Sequence, residues 1–153
     1  GAQWATELAA QRPDLVDRVV VIGPVTDPRH RTLLRQAIAL TFDTFGESPR
    51  INAIVFTDYL RTGIRWYLLQ ARHMLRYRLD ERARELTVPL LVMRGGNDPI
   101  AGSEWCRALR SVATEAAFVT VPGEHHVVQE SRPRAVADAV RTFIRTGTRM
   151  VRS

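Results

Sequence analysis

Lysine is absent from the 153 residues, and all 22 basic side chains are arginine. A chain selected to neutralise phosphates ordinarily mixes the two cations, because either one serves. A lysine-free set points instead to GC-rich codon usage. No nucleic-acid partner is therefore expected, despite a net charge of +6 and a pI near 10.8. Cysteine is nearly absent as well. Cys106 stands alone, which excludes a disulfide scaffold and any cysteine-built zinc site. No cofactor or metal is expected. Apolar runs such as Val19–Ile22 reach only four residues, far from the ~20 that a membrane span needs, so no membrane partner is expected. Internal repeats and low-complexity tracts are missing too. The chain also lacks a starting Met. It opens on Gly1, in mid-helix and without an N-cap. The expectation is a cytoplasmic protein whose N-terminal part, with any leader, lies upstream.

What is present is the composition of a folded domain, 45% hydrophobic and 25% charged. At this length one domain buries roughly 70% of its unfolded surface. Gly1–Gln11 reads as a helix with Ala5, Leu8 and Ala9 on one face, stopped by Pro13. Val16–Ile22 ends in V-V-V-I and meets Gly23-Pro24 at once. That is the pattern of a strand buried on both faces, hence parallel. From Thr26 to Leu86 the spacing turns helical. One helix is expected over Arg29–Phe42. A second starts at Ser48-Pro49, repeats Ile51, Val55 and Tyr59 every four residues, and breaks at Thr62-Gly63. A third sets Ile64, Tyr67, Leu68, Ala71 and Leu75 on one side. A short fourth, capped by Asp80, ends near Leu86. Strand character returns at Val88–Met93 and at Ala117–Val121, closed by Gly95-Gly96 and Pro122-Gly123. Ser103 is the expected cap of the helix between them, which carries Trp105, Leu109 and Val112. Ser131 is the expected start of the last helix, with Val136, Val140, Phe143 and Ile144 facing inward. Thr146–Ser153 reads as a frayed tail. Buried strands alternating with amphipathic helices imply an α/β fold with a parallel sheet and right-handed crossovers.

In such sheets ligands bind beyond the carboxyl ends of the strands, and two loops there are chemically loaded. Gly95-Gly96-Asn97-Asp98-Pro99 follows one strand and Pro122-Gly123-Glu124-His125-His126 the next. An acid and a histidine at the same end of neighbouring parallel strands can meet. The acid then holds the imidazole in one tautomer and stabilises it once protonated. Asp98 and His126 are the candidate pair. His125 is a rival for the histidine, and Asp27 is a rival for the acid. His30 and His73 fall in the helical stretch without a partner motif. Cys106, beside Trp105, carries no cysteine-protease signature and reads as a small buried apolar residue.

The order acid then histidine, each after its own strand, resembles the α/β-hydrolase family. L-L-V-M-R-G-G-N-D-P-I resembles that family's acid-bearing strand and turn. V-P-G-E-H-H-V-V-Q-E-S-R-P resembles its histidine strand and loop. The opening G-A-Q-W-A-T-E-L-A-A-Q-R-P-D-L-V-D-R-V-V-V-I-G-P is similar to the helix after the nucleophile elbow and the strand beyond it. The family usually places Gly directly before its histidine, where this chain has His125; the G-x-x-H register and the Val127-Val128 pair favour His126.

The resemblance implies a partial parallel sheet of the α/β-hydrolase fold with an inserted helical cap. The core would be 1–25 and 87–146, the cap 26–86 and the tail 147–153. Arg18–Ile22 would lie at an open edge, a possible site of self-association, with Val88–Met93 in the middle. If Gly1 is the last glycine of G-x-S-x-G, the nucleophile and the oxyanion hole lie upstream. The implied activity is hydrolysis of an ester or related carbonyl compound through a nucleophile–His126–Asp98 triad. The cap aromatics suit a small apolar or aromatic substrate, and the arginines at 61, 65, 72 and 76 form a solvated face. The alternatives are a non-catalytic binding protein of the same fold and a capped hydrolase with an Asp nucleophile, of epoxide hydrolase or dehalogenase type.

Overall fold

The computed structural model describes residues 1–25 and 49–150. The helix expected at Arg29–Phe42, the residues Asp27 and His30, and the Ser48 cap lie outside them. So do the side chains of Ile51, Val55, Tyr59, Ile64, Tyr67 and Leu68.

Among the described residues three parallel strands form the sheet: β1 (Val19–Ile22), β2 (Leu90–Gly95) and β3 (Ala116–Val121), in the spatial order β1-β2-β3. Val19 pairs with Leu90 and Leu90 with Ala116, so the carboxyl ends of all three strands lie at one side. Helix α1 (Ala2–Gln11) precedes β1. Between β1 and β2 come α2 (Pro49–Thr62), α3 (Ile64–Arg76) and α4 (Leu79–Glu85). Helix α5 (Ser103–Val112) links β2 to β3. A single turn α6 (Val128–Ser131) and the long α7 (Pro133–Thr146) follow β3.

The central strand explains the two-layer core. Every residue of β2 is buried, because successive side chains point to opposite faces and both faces are covered. Leu90 and Val92 join Ala9, Val19, Val21, Leu79, Leu86, Trp105 and Leu109 on one side. Leu91 and Met93 join Ala117, Val128, Val136 and Phe143 on the other. The end of the stretch expected to form the cap, Leu79–Leu86, lies in the first of these clusters: Leu79, Ala83 and Leu86 pack with Ala9, Val19 and Leu90.

Several local expectations are corrected. In α1 the buried residues are Thr6 and Ala9, whereas Ala5 and Leu8 are exposed. Thr6 tolerates burial because its hydroxyl donates to the Ala2 carbonyl at 2.9 Å. Asp80 does not cap α4. Arg78 holds the cap position and Asp80 lies in the first turn, where its charge suits the helix dipole. Gly102 rather than Ser103 precedes α5. The last helix begins at Pro133, which fits a first turn whose N–H would be unsatisfied in any case, while Ser131 ends the short α6. Ile144 is exposed; it lies one residue, about 100° of helix, from the buried Phe143. Gly147–Met150, expected to fray, forms a 3₁₀ turn, with Thr148 Oγ1 donating to Glu115 at 3.0 Å.

Candidate active site

The three strand ends are stitched to one another by backbone bonds. Gly23 N–H donates to the Met93 carbonyl at 2.9 Å, and Gly96 N–H to that of Val121 at 2.8 Å. Asn97 N–H donates to the Glu124 carbonyl at 2.8 Å. The loops after β2 and β3 therefore run side by side, which brings Asp98 to His126 across 28 residues of sequence.

Glycine makes that approach possible at two places. A Cβ on Gly95 would collide with the backbone carbonyls of Glu124 and His125. Gly23, at φ +56°, faces the histidine ring: a Cβ there would sit 2.8 Å from His126 Cε1 and 3.0 Å from Nδ1. That backbone region also disfavours any side chain.

Asp98 is buried, its side chain fully so. Oδ1 accepts the amides of Ile100 at 2.8 Å and Ala101 at 2.9 Å. Pro99, which has no N–H to offer, lies between Asp98 and these donors. Oδ2 lies 2.9 Å from His126 Nδ1. Burial works to raise the Asp98 pKa. The hydrogen bond and charge of His126, with the two amides, outweigh it and hold the carboxyl below its ordinary value. An ionised carboxylate only accepts, so Nδ1 carries a proton, and in the neutral imidazole Nε2 is the nitrogen that keeps a lone pair. His126 retains 23% side-chain exposure against none for Asp98. Access to the pair is thus through the imidazole.

The carboxylate chooses between the two histidines: it bonds His126, while His125 has its carbonyl against Gly95. His73 is an exposed residue in the last turn of α3. Cys106 is fully buried, with Sγ 3.9 Å from the Ala101 carbonyl. Glu124 accepts a hydrogen bond from Arg132 Nε at 2.6 Å. Hydrogen bonds from Ser131 and Arg132 keep its carboxyl below the usual range.

Two features escaped the sequence. Trp105 Nε1 donates to the Pro24 carbonyl at 3.0 Å, tying α5 to the end of β1. Arg94, a charge inside an otherwise apolar strand, is buried and donates to the carbonyls of Ala101 and Asp98. The signal for Arg94 was visible in L-L-V-M-R-G, where a lone cation interrupts a run that otherwise meets only core.

Among known proteins, the family model described as TAP-like protein matches residues 72–152, more than half of the chain. A curated relative, the mouse sn-1-specific diacylglycerol lipase ABHD11, is 28% identical over 94% of this chain and 56% of its own length. The enol-lactonase from Burkholderia xenovorans LB400 superposes with a TM-score of 0.71 at 22% identity, covering 92% of this chain and 60% of that one. A thermophilic esterase from Thermogutta terrifontis gives 0.73 at 19% identity, over 96% and 62%. The chain thus spans little more than half the length of the curated relative it matches.

Proposed function

The chain belongs to the TAP-like family of α/β-hydrolases, and from that premise we propose that Asp98 and His126 are the acid and base of a nucleophile–histidine–acid triad. The triad hydrolyses an ester or related carbonyl substrate, and its nucleophile lies in chain preceding Gly1. His126 Nε2 takes the proton of the attacking group. The nucleophile adds to the carbonyl carbon, the leaving group departs with the proton, and water then resolves the covalent intermediate. Asp98 keeps the imidazole in the required tautomer and stabilises the imidazolium. The observation that carries this reading is the bond of 2.9 Å from His126 Nδ1 to a carboxylate whose other oxygen is already held by two backbone amides.

The similar proteins named as a lipase, an enol-lactonase and an esterase act on acyl–oxygen bonds, and the same bond class is assigned here. The cap spans 26–86 and includes helices α2, α3 and α4, and the substrate is a small apolar or aromatic compound.

The test uses the full-length protein and a p-nitrophenyl ester. His126→Ala lowers kcat by at least ~10³-fold, because triad members act as a unit. The 153-residue chain alone turns over nothing above background. Full activity in the variant, or none in the wild-type protein against a panel of short and long acyl esters, would refute the assignment.

A further inference from the structure

We infer that Arg94 is a positioning residue for the acid of this site, clamping the turn that presents Asp98 to His126. The inference rests on the triad reading above. Arg94 occupies the fifth position of β2, where alternation turns its side chain to the same face as Leu90 and Val92, toward the start of α5. There the residue is 7% exposed, and among the described residues its guanidinium pairs with no carboxylate. Nε donates to the Ala101 carbonyl at 2.6 Å and Nη2 to the Asp98 carbonyl at 2.9 Å.

Those two carbonyls belong to the first and last residues of the turn Asp98–Ala101. The same turn supplies the Ile100 and Ala101 amides that hold Asp98 Oδ1. The turn is therefore gripped from both sides. Its amides close on the carboxylate, and its outward carbonyls close on a rigid guanidinium fork. With Oδ1 fixed, Oδ2 has one direction left, toward His126 Nδ1. A buried cation without a counter-ion is costly relative to an apolar side chain of similar volume. The arginine therefore contributes something packing would not. Planar donors with fixed spacing span two acceptors, which lysine's single ammonium does not reproduce. The charge also sits on the carbonyl side of the turn rather than on the carboxylate, so Arg94 acts through the geometry of Asp98 and touches neither histidine nor substrate.

The experiment compares wild type, Arg94→Met and Arg94→Lys in the full-length protein. It uses ester kinetics, thermal melts and the far-downfield proton NMR resonance of the His126 Nδ1–H. Wild type shows the resonance. Both variants lose or broaden it at temperatures where they remain folded, and kcat falls about 10–100-fold at nearly constant KM, as expected for a misplacement of about 1 Å. A retained resonance with full kcat in Arg94→Met overturns the inference. Restoration of both by Arg94→Lys assigns the effect to charge and overturns it equally. If Arg94→Met does not fold, Arg94→Lys decides by the same readouts. If neither folds, Arg94 is a fold determinant and the inference fails. A wild-type protein without the resonance, or one indifferent to Asp98→Asn, would instead bring down the triad reading itself.

Discussion

The loops at the strand ends and the helices α2 and α3 come from one chain and follow opposite rules. At the strand ends nearly every polar group has an assigned partner. Asp98 spends both oxygens, Arg94 bonds two carbonyls, and Gly23 and Gly95 leave room for nothing larger. In α2 and α3 large apolar side chains face outward: Phe56, Leu60, Trp66 and Leu69 are all more than half exposed. The base of α3 is fastened by a few bonds to α1. Gln3 Nε2 donates to the Met74 carbonyl at 2.9 Å, and Tyr77 OH to Glu7 at 2.7 Å, with Arg82 Nε 3.1 Å from the same carboxylate. The Tyr77 hydrogen bond is the main reason the Glu7 carboxyl stays below its ordinary value. Tolerance to substitution differs accordingly. The strand ends hold a geometry that one atom can upset, whereas the helical pair presents a surface that can vary without touching it.

The comparison breaks most sharply at the acid. Asp98→Asn in the full-length protein keeps a group of the same size but leaves the imidazole in the wrong tautomer. The expected loss in kcat is about 10⁴-fold; a loss under tenfold in steady-state ester assays would show that the strand-end pair is structural. Gly95→Ala forces a Cβ into two backbone carbonyls, and a denaturant titration should record about 3 kcal/mol of lost stability. A neutral outcome would mean that the β2 and β3 loops separate easily and that the strand ends are no more exacting than the helices. Gly23→Ala meets the tip of a side chain instead, so the His126 ring can move aside. The variant should fold with ~1–2 kcal/mol lost to its left-handed backbone, yet show a clearly reduced kcat.

Acid sensitivity sharpens the same contrast. The Asp98 carboxyl titrates below its unfolded value, so its contribution to stability is full above the unfolded pKa of ~3.9 and disappears as pH falls through the folded one. Urea midpoints of wild type should therefore drop below pH ~4 more steeply than those of Asp98→Asn. Parallel curves would deny the carboxylate its role in holding the loop. The smaller effects belong to the helices. Tyr77→Phe removes one hydrogen bond at the base of α3 and should cost about 1 kcal/mol. Trp66→Ala should change stability by less than about 0.5 kcal/mol. Its measurable consequence, if the cap reading holds, is a shifted KM for bulky esters.

Much of the sheet was legible because burial on both faces writes itself into short apolar runs. V-V-V-I and V-P-L-L-V-M mark β1 and β2 to within two residues of their observed bounds. Helix edges were less legible. Ser103 and Ser131 are good caps by residue type, but Gly102 and Arg132 hold those places. Capping depends on where the preceding loop lets the backbone turn, and composition does not record that. The inward face of α1 was misread for a similar reason. Leu8 is the more apolar residue, yet Thr6 is buried because its hydroxyl bonds within its own helix.

Among the described residues, sequence alone was enough for the order of the strands and of the longer helices, the parallel sheet, and the pair of loops where an acid and a histidine can meet. These follow from periodicity and turn chemistry, which act over a few residues. Sequence favoured His126 over its neighbour, but packing set the 2.9 Å contact between Asp98 and His126, the grip of Arg94 on the Asp98 turn, and the place of Gly23 against the imidazole. Each of those outcomes is a close approach between segments separated in sequence or turned by a loop. It depends on distances of tenths of an ångström, which close packing sets and residue type alone leaves open.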